Sequence, residues 1–182
     1  IKTAWGGKSI YKDFRPPSAG GETGEYYQRI LMEVDEALKN YQEEFPVLKG
    51  MKPKWGGFIW FQGWNDMFNQ DALAQYEENL VHLIKDLRAH LNQPNLPVVV
   101  GELGNMGEDA GTNMKLIREA QRKACQRIDW KGRVSFVKTT KFARPKEESP
   151  NVGHGHHWFG NAESYFLIGD ALGKEMVRLL EK

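Results

Sequence analysis

Short apolar runs alternate with amphipathic stretches along this chain, and that alternation restricts the fold more than any single residue does. The runs are residues 1–5, 58–61, 98–100 and 134–137, rich in β-branched and aromatic side chains. Val98-Val99-Val100 shows no apolar–polar alternation, the pattern of a strand covered on both faces. Between the runs, apolar residues recur at helical spacing. Tyr27, Ile30, Leu31, Val34, Leu38 and Tyr41 form one stripe; Leu73, Tyr76, Leu80, Leu83, Ile84, Leu87 and Leu91 form a second. Leu116, Ile117, Ala120 and Ala124 form a third, and Tyr165, Phe166, Leu172, Met176 and Leu180 a fourth. Asp71, Thr112 and Asn161 stand where the later helices need N-caps. Strands alternating with helices predict an α/β domain with a parallel sheet covered on both faces.

The 182 residues are read as one domain, 1–182, without internal repeats. Twenty-five basic against 24 acidic residues leave a net charge of +1, so no strong field points to nucleic acid or an anionic membrane surface. No apolar run is long enough to span a bilayer. Cys125 is the single cysteine, which rules out an intrachain disulfide and a cysteine metal cluster.

Chemistry concentrates at the ends of the predicted strands, where open parallel sheets bind their ligands. After Phe58 to Phe61 the chain turns polar within one residue: Gln62, Asn65 and Asp66 crowd together, with Gly63 easing the turn. Asn65 is a candidate donor to a developing oxyanion, and an ordinary Asn/Asp turn explains the same spacing. Gly6-Gly7 offers bare backbone N–H groups to the same oxyanion, or simply a turn. His154-Gly155-His156-His157 precedes the last helix and supplies a candidate general base. A metal site would need further ligands at matching spacing, and His82 and His90 lie on a helix of their own, so no metal is assigned. The six Trp residues are a mild pointer to sugar contact.

Three blocks in order carry a family resemblance: Ala4-Trp5-Gly6-Gly7-Lys8-Ser9, Trp60-Phe61-Gln62-Gly63-Trp64-Asn65-Asp66 and His157-Trp158-Phe159-Gly160-Asn161-Ala162. They resemble the second, third and last blocks of the SGNH hydrolases, above all the sialate O-acetylesterase-like carbohydrate esterases. The resemblance implies a three-layer α/β/α, flavodoxin-like fold and a serine esterase that removes acetyl groups from carbohydrate without a cofactor. By motif, His157 is then the base, Asn65 an oxyanion donor and Gly6 or Gly7 the backbone donor, with Gln62 and Trp64 toward the substrate. An extracytoplasmic location is expected from polymer-degrading relatives.

Two departures accompany the resemblance. The family's acid commonly stands three residues before the histidine, and His154 occupies that position, so no acid is named. The nucleophile block, a Gly-Asp-Ser or Gly-Gln-Ser-Asn turn, is absent from 1–182, and Ser9 belongs to the block-two pattern instead. In the family's sheet order the first strand lies between the strand expected at Ile1 to Trp5 and that at Phe58 to Phe61. The expectation is an N-terminally incomplete domain, completed by a further segment or a second polypeptide that carries the Ser. The rival reading is a non-catalytic carbohydrate-binding relative that lacks the nucleophile.

Overall fold

The computed structural model describes residues 3–182, apart from the side chain of residue 128. Three strands, β1 (Phe58–Trp60), β2 (Val98–Gly101) and β3 (Val134–Val137), form a parallel sheet in the order β1-β2-β3. Phe58 pairs with Val98, and Val98 with Val134. The long helices are α1 (Glu25–Glu44), α2 (Gln70–His90), α3 (Thr112–Cys125) and α4 (Ala162–Leu180).

Strand alternation divides the core in two. Trp60, Val98, Val100 and Val134 face a large cluster built with α1, α2 and α3, including Ile30, Tyr76, Leu80, Ile84 and Ile117. Val99 points the other way, into a smaller cluster with Ile168, Leu172 and Leu179 of α4 and with Trp158. Helices therefore cover both faces, giving the expected three layers. All four residues of β2 are buried, which its unbroken apolar run foretold.

The coverage is uneven at β1. Among the described residues β2 is its only strand neighbour, and Phe58 N–H donates across to Pro97 O. Ile59 on the α4 face is 46% exposed. No helix among the described residues is long and apolar enough to cross a membrane.

Several local expectations are corrected. Thr3 to Trp5 form no strand, because a strand needs a ladder partner and none lies beside them among the described residues; Ile1 and Lys2 of that expected strand lie outside the described residues. Asn69, rather than Asp71, caps α2 by accepting from Ala72 N–H, and Gly111 rather than Thr112 precedes α3. Asn161 caps α4 as expected, accepting from Ser164 N–H. Leu116 is half exposed, because α3 buries Met114, Ile117, Arg118, Gln121, Ala124 and Cys125 instead. Phe166 and Leu180 of α4 also face outward, since that helix rests on the sheet through Ile168, Leu172 and Leu179.

Candidate functional site

Buried polar side chains tie the loops at the carboxyl ends of the strands to one another. After β1, Asn65–Phe68 form a short 3-10 turn in which Asp66 and Met67 point inward. Asp66 is fully buried: its Oδ2 accepts from Ile10 N–H at 3.1 Å and Gln62 Nε2 at 2.7 Å, and its Oδ1 from Tyr11 N–H at 3.1 Å. Burial pushes the Asp66 carboxyl up, against the pull of the Gln62 side chain and the two backbone N–H groups. Gln62 Nε2 also donates to Lys8 O at 2.9 Å, so its amide is occupied within the protein. These bonds clamp the Gly6–Tyr11 turn to the end of β1.

Gly7 comes out of that clamp beside Asn65. Its φ of +73° lies in the left-handed region, and a Cβ added there would stand 4.0 Å from Asn65 Nδ2. Gly6 has no neighbour of that kind. Of the two candidate glycines, Gly7 is the one brought up to Asn65.

The loop after β2 is held by α3. Arg118, almost wholly buried, donates from Nε to Leu103 O and from Nη2 to Asn105 O and Gly107 O. Gln121 accepts from Leu103 N–H and donates to Gln62 O, joining the ends of β2 and β1. Glu102 Oε2 accepts from the Thr139 and Thr140 N–H groups, which secures the loop after β3. Gly104 passes so close to that loop that an added Cβ would fall 2.2 Å from Thr139 Oγ1 and 2.6 Å from Thr140 N. Gly104→Ala is expected to cost about 1–3 kcal/mol through overpacking, read as a shift of the urea midpoint; an unshifted midpoint would show that the loops part without cost.

The histidine loop reaches the same end of the sheet through Asn105, whose Nδ2 donates to Gly155 O at 3.0 Å and His156 O at 3.2 Å. Beyond His157 the backbone runs left-handed at Trp158 (φ 52°), Phe159 (φ 53°) and Gly160 (φ 69°). For two bulky aromatic residues this is a strained conformation, on the order of 1–3 kcal/mol each. Packing holds it: both rings are buried, and Trp158 stacks on Phe61 at 6.3 Å. The result turns His157 outward. Its ring lies 4.2 Å from that of His156, which in turn lies 5.7 Å from Trp64.

His154 Nδ1 meets Asn151 Nδ2 at 2.9 Å. Partial desolvation first, then the neighbouring His157 and His154, hold His156 below the ordinary imidazole range. The three rings make no metal cage; among the described residues no group of three or more His, Cys, Asp or Glu is placed to hold a metal ion.

Two potential nucleophiles within the chain are occupied. Ser9 Oγ donates to Asp13 Oδ2 and accepts from Lys12 N–H. Burial pushes the Cys125 thiol up to about 12, which keeps it protonated and inert. A cavity of about 440 Å³ between β3 and α4, lined by Lys138, Lys141, Lys174 and Arg178 among others, includes none of the candidate residues.

Sequence reasoning missed Arg118, Gln121 and Asn105, which position the loops. A signal existed for two of them: Arg118 and Gln121 stand at helical spacing with Met114, Ile117 and Cys125, polar groups on a face that had to be buried.

Comparison with known proteins agrees with the fold. An Arabidopsis thaliana protein solved by X-ray crystallography superposes with a TM-score of 0.66 at 20% sequence identity, over 95% of this chain and 58% of that one. This chain thus spans a little over half the length of that relative. No curated protein matches. A family model described as carbohydrate esterase, sialic acid-specific acetylesterase, matches residues 1–178. A match running through almost the whole chain places it: this protein belongs to the sialic acid-specific acetylesterase family of carbohydrate esterases.

Proposed function

We propose that this chain is the larger part of a serine esterase that releases O-acetyl groups from carbohydrate, with the nucleophilic Ser on a segment outside the present sequence. The observation that carries the reading is the approach of Gly7 to Asn65 at the end of β1, beside the histidine loop. A glycine backbone and an Asn side-chain amide brought together suit an oxyanion, which needs fixed N–H groups where charge develops. The Ser Oγ attacks the acetyl carbonyl while His157 takes its proton. Gly7 N–H and Asn65 Nδ2 hold the tetrahedral oxyanion, which collapses as His157 returns the proton to the departing sugar hydroxyl. Water repeats the sequence and frees acetate. Gln62 serves as a support, since its amide is bonded to Lys8 and Asp66; Trp64 faces the substrate.

The open edge of β1 supports the placement of the nucleophile. Ile59 at 46% and Phe61 at 37% exposure lie where a neighbouring strand and its helix would cover them. Such a segment, on this polypeptide or a separate one, would bring its strand end next to Gly7 and Asn65. An exported, extracytoplasmic enzyme fits a carbohydrate substrate.

The test is active-site labelling of the protein produced from its complete gene. A fluorophosphonate probe is expected to modify one Ser outside residues 1–182 and to stop acetate release. Labelling of a Ser within these residues, or acetate release without any labelling, overturns the reading. Absence of both acetate release and labelling favours the non-catalytic carbohydrate-binding relative. Gly7→Ala in the same protein is expected to lower kcat about tenfold, because a methyl at φ +73° strains the turn beside Asn65; unchanged kcat would move the backbone donor away from Gly7.

A further inference from the structure

Phe68 is 70% exposed on a backbone held firmly in place. Its turn is pinned at both ends. Asn113 Nδ2 donates to Met67 O at 2.9 Å, and Asn69 caps α2 immediately afterwards. In a 3-10 turn side chains three apart eclipse one another, so Phe68 stands on the same side as Asn65 while Asp66 and Met67 go inward.

The ring of Phe68 lies edge-on to Trp64, with centroids 6.1 Å apart at 64°. Trp64 lies 5.7 Å from His156, and His156 4.2 Å from His157. Met106, 40% exposed, flanks the row, its Sδ 3.1 Å from where a Gly155 Cβ would be. A solitary exposed Phe needs no explanation, but a fixed row of aromatic rings ending at the candidate base does.

We propose that Phe68 forms a shelf for a sugar ring, with Trp64 beside it at 64°: the pyranose that carries the ester, or the residue next to it, lies on the Phe68 ring and abuts Trp64. The inference rests on the esterase reading above and adds the means of substrate selection. Pyranose C–H groups carry slight positive charge and meet the negative face of an aromatic ring, while the ring hydroxyls stay in water. An open shelf takes one residue of a longer chain, whereas an enclosed pocket would admit only a free monosaccharide. His156, held below the ordinary imidazole range by partial desolvation and its two histidine neighbours, completes the row.

The experiment compares kcat/KM for peracetylated methyl glucopyranoside with kcat/KM for ethyl acetate, a ringless ester, in the protein produced from its complete gene. Phe68→Ala is expected to lower the ratio of the two about tenfold, mostly through KM of the pyranoside. Phe68→Tyr is expected to keep the ratio within about twofold, since the ring remains. A ratio unchanged in Phe68→Ala overturns the shelf, as does an equal fall for both substrates. If the unsubstituted protein hydrolyses neither ester, the esterase reading itself fails and the shelf falls with it.

Discussion

His157→Ala is expected to lower kcat for acetyl ester hydrolysis by about 10²–10⁴-fold, the range a positioned general base supplies. The fold should be indifferent to the change, because the His157 ring is exposed and truncation at such positions stays within about 0.5 kcal/mol. Three histidines lie close enough to be confused, and their surroundings separate them. His154 is engaged with Asn151, so one ring nitrogen is already occupied. His156 is held below the usual imidazole range by partial desolvation and its two neighbours, which makes it a weaker base at neutral pH. His157 opens the left-handed run through Trp158 and Phe159 and owes its outward direction to strain paid by buried aromatic packing. His154→Ala and His156→Ala should therefore each cost less than about tenfold. Steady-state kinetics of the three variants, with circular dichroism to confirm folding, decides the point. A His157→Ala protein retaining more than a tenth of its turnover, or a larger loss at His156, would assign the base elsewhere.

The parts of the structure that were legible in the sequence are those where a local pattern meets a matching environment. The stripe Tyr76, Leu80, Leu83, Ile84, Leu87 predicts α2 because that face of the helix is buried along its length in the core it shares with α3. The β-branched run at Val98 predicts β2 because both its faces are covered. The expectation fails where burial is one-sided: Phe166 and Leu180 continue the apolar stripe of α4, yet the sheet beneath it takes only Ile168, Leu172 and Leu179. It fails also at Thr3 to Trp5, where strand propensity has no ladder partner to act on among the described residues.

At the candidate site, Asn65, Trp64, Gly7 and His157 are visible in the sequence as residue types in loops. The side chains that assemble them are not, because the partnerships run across long sequence separations. Asp66 reaches back 56 residues to Ile10, and Asn105 reaches forward 50 to Gly155. No periodicity records such a pairing. A buried polar residue inside an apolar helical face, as at Arg118 and Gln121, is the nearest thing to a written sign.

Asp66→Ala is expected to destabilise the protein by about 3–5 kcal/mol, since one deletion orphans three donors in a water-free position. Ile10 N–H is the most costly of them: Ile10 is wholly buried, and Asp66 Oδ2 is its acceptor among the described residues. Tyr11 N–H and Gln62 Nε2 lose their bonds together with it, and Gln62 Nε2 then donates only to Lys8 O while its Oε1 still accepts from Tyr76 O–H. The clamp on the Gly6–Tyr11 turn loosens, so amide exchange at Ile10 and Tyr11 should accelerate and Gly7 should no longer stay beside Asn65. Asp66→Asn keeps the shape and one acceptor but presents an NH₂ group to an N–H, so a smaller loss of about 1–3 kcal/mol is expected. The pair also fixes the sign of a pH effect. Burial raises the Asp66 pKa in the folded state above its unfolded value, so folding favours the protonated form. That contribution is fully present below the ordinary carboxylate range and is lost as pH rises through the raised pKa. Unfolding of the unsubstituted protein measured against Asp66→Asn across that window should show its relative stability declining as pH rises. A difference between the two that grows with pH would mean that the three donors outweigh burial, and that the carboxylate is held below its ordinary range. Asp66→Ala unfolding within about 1 kcal/mol of the unsubstituted protein would show that the turn before Ile10 is secured by other contacts.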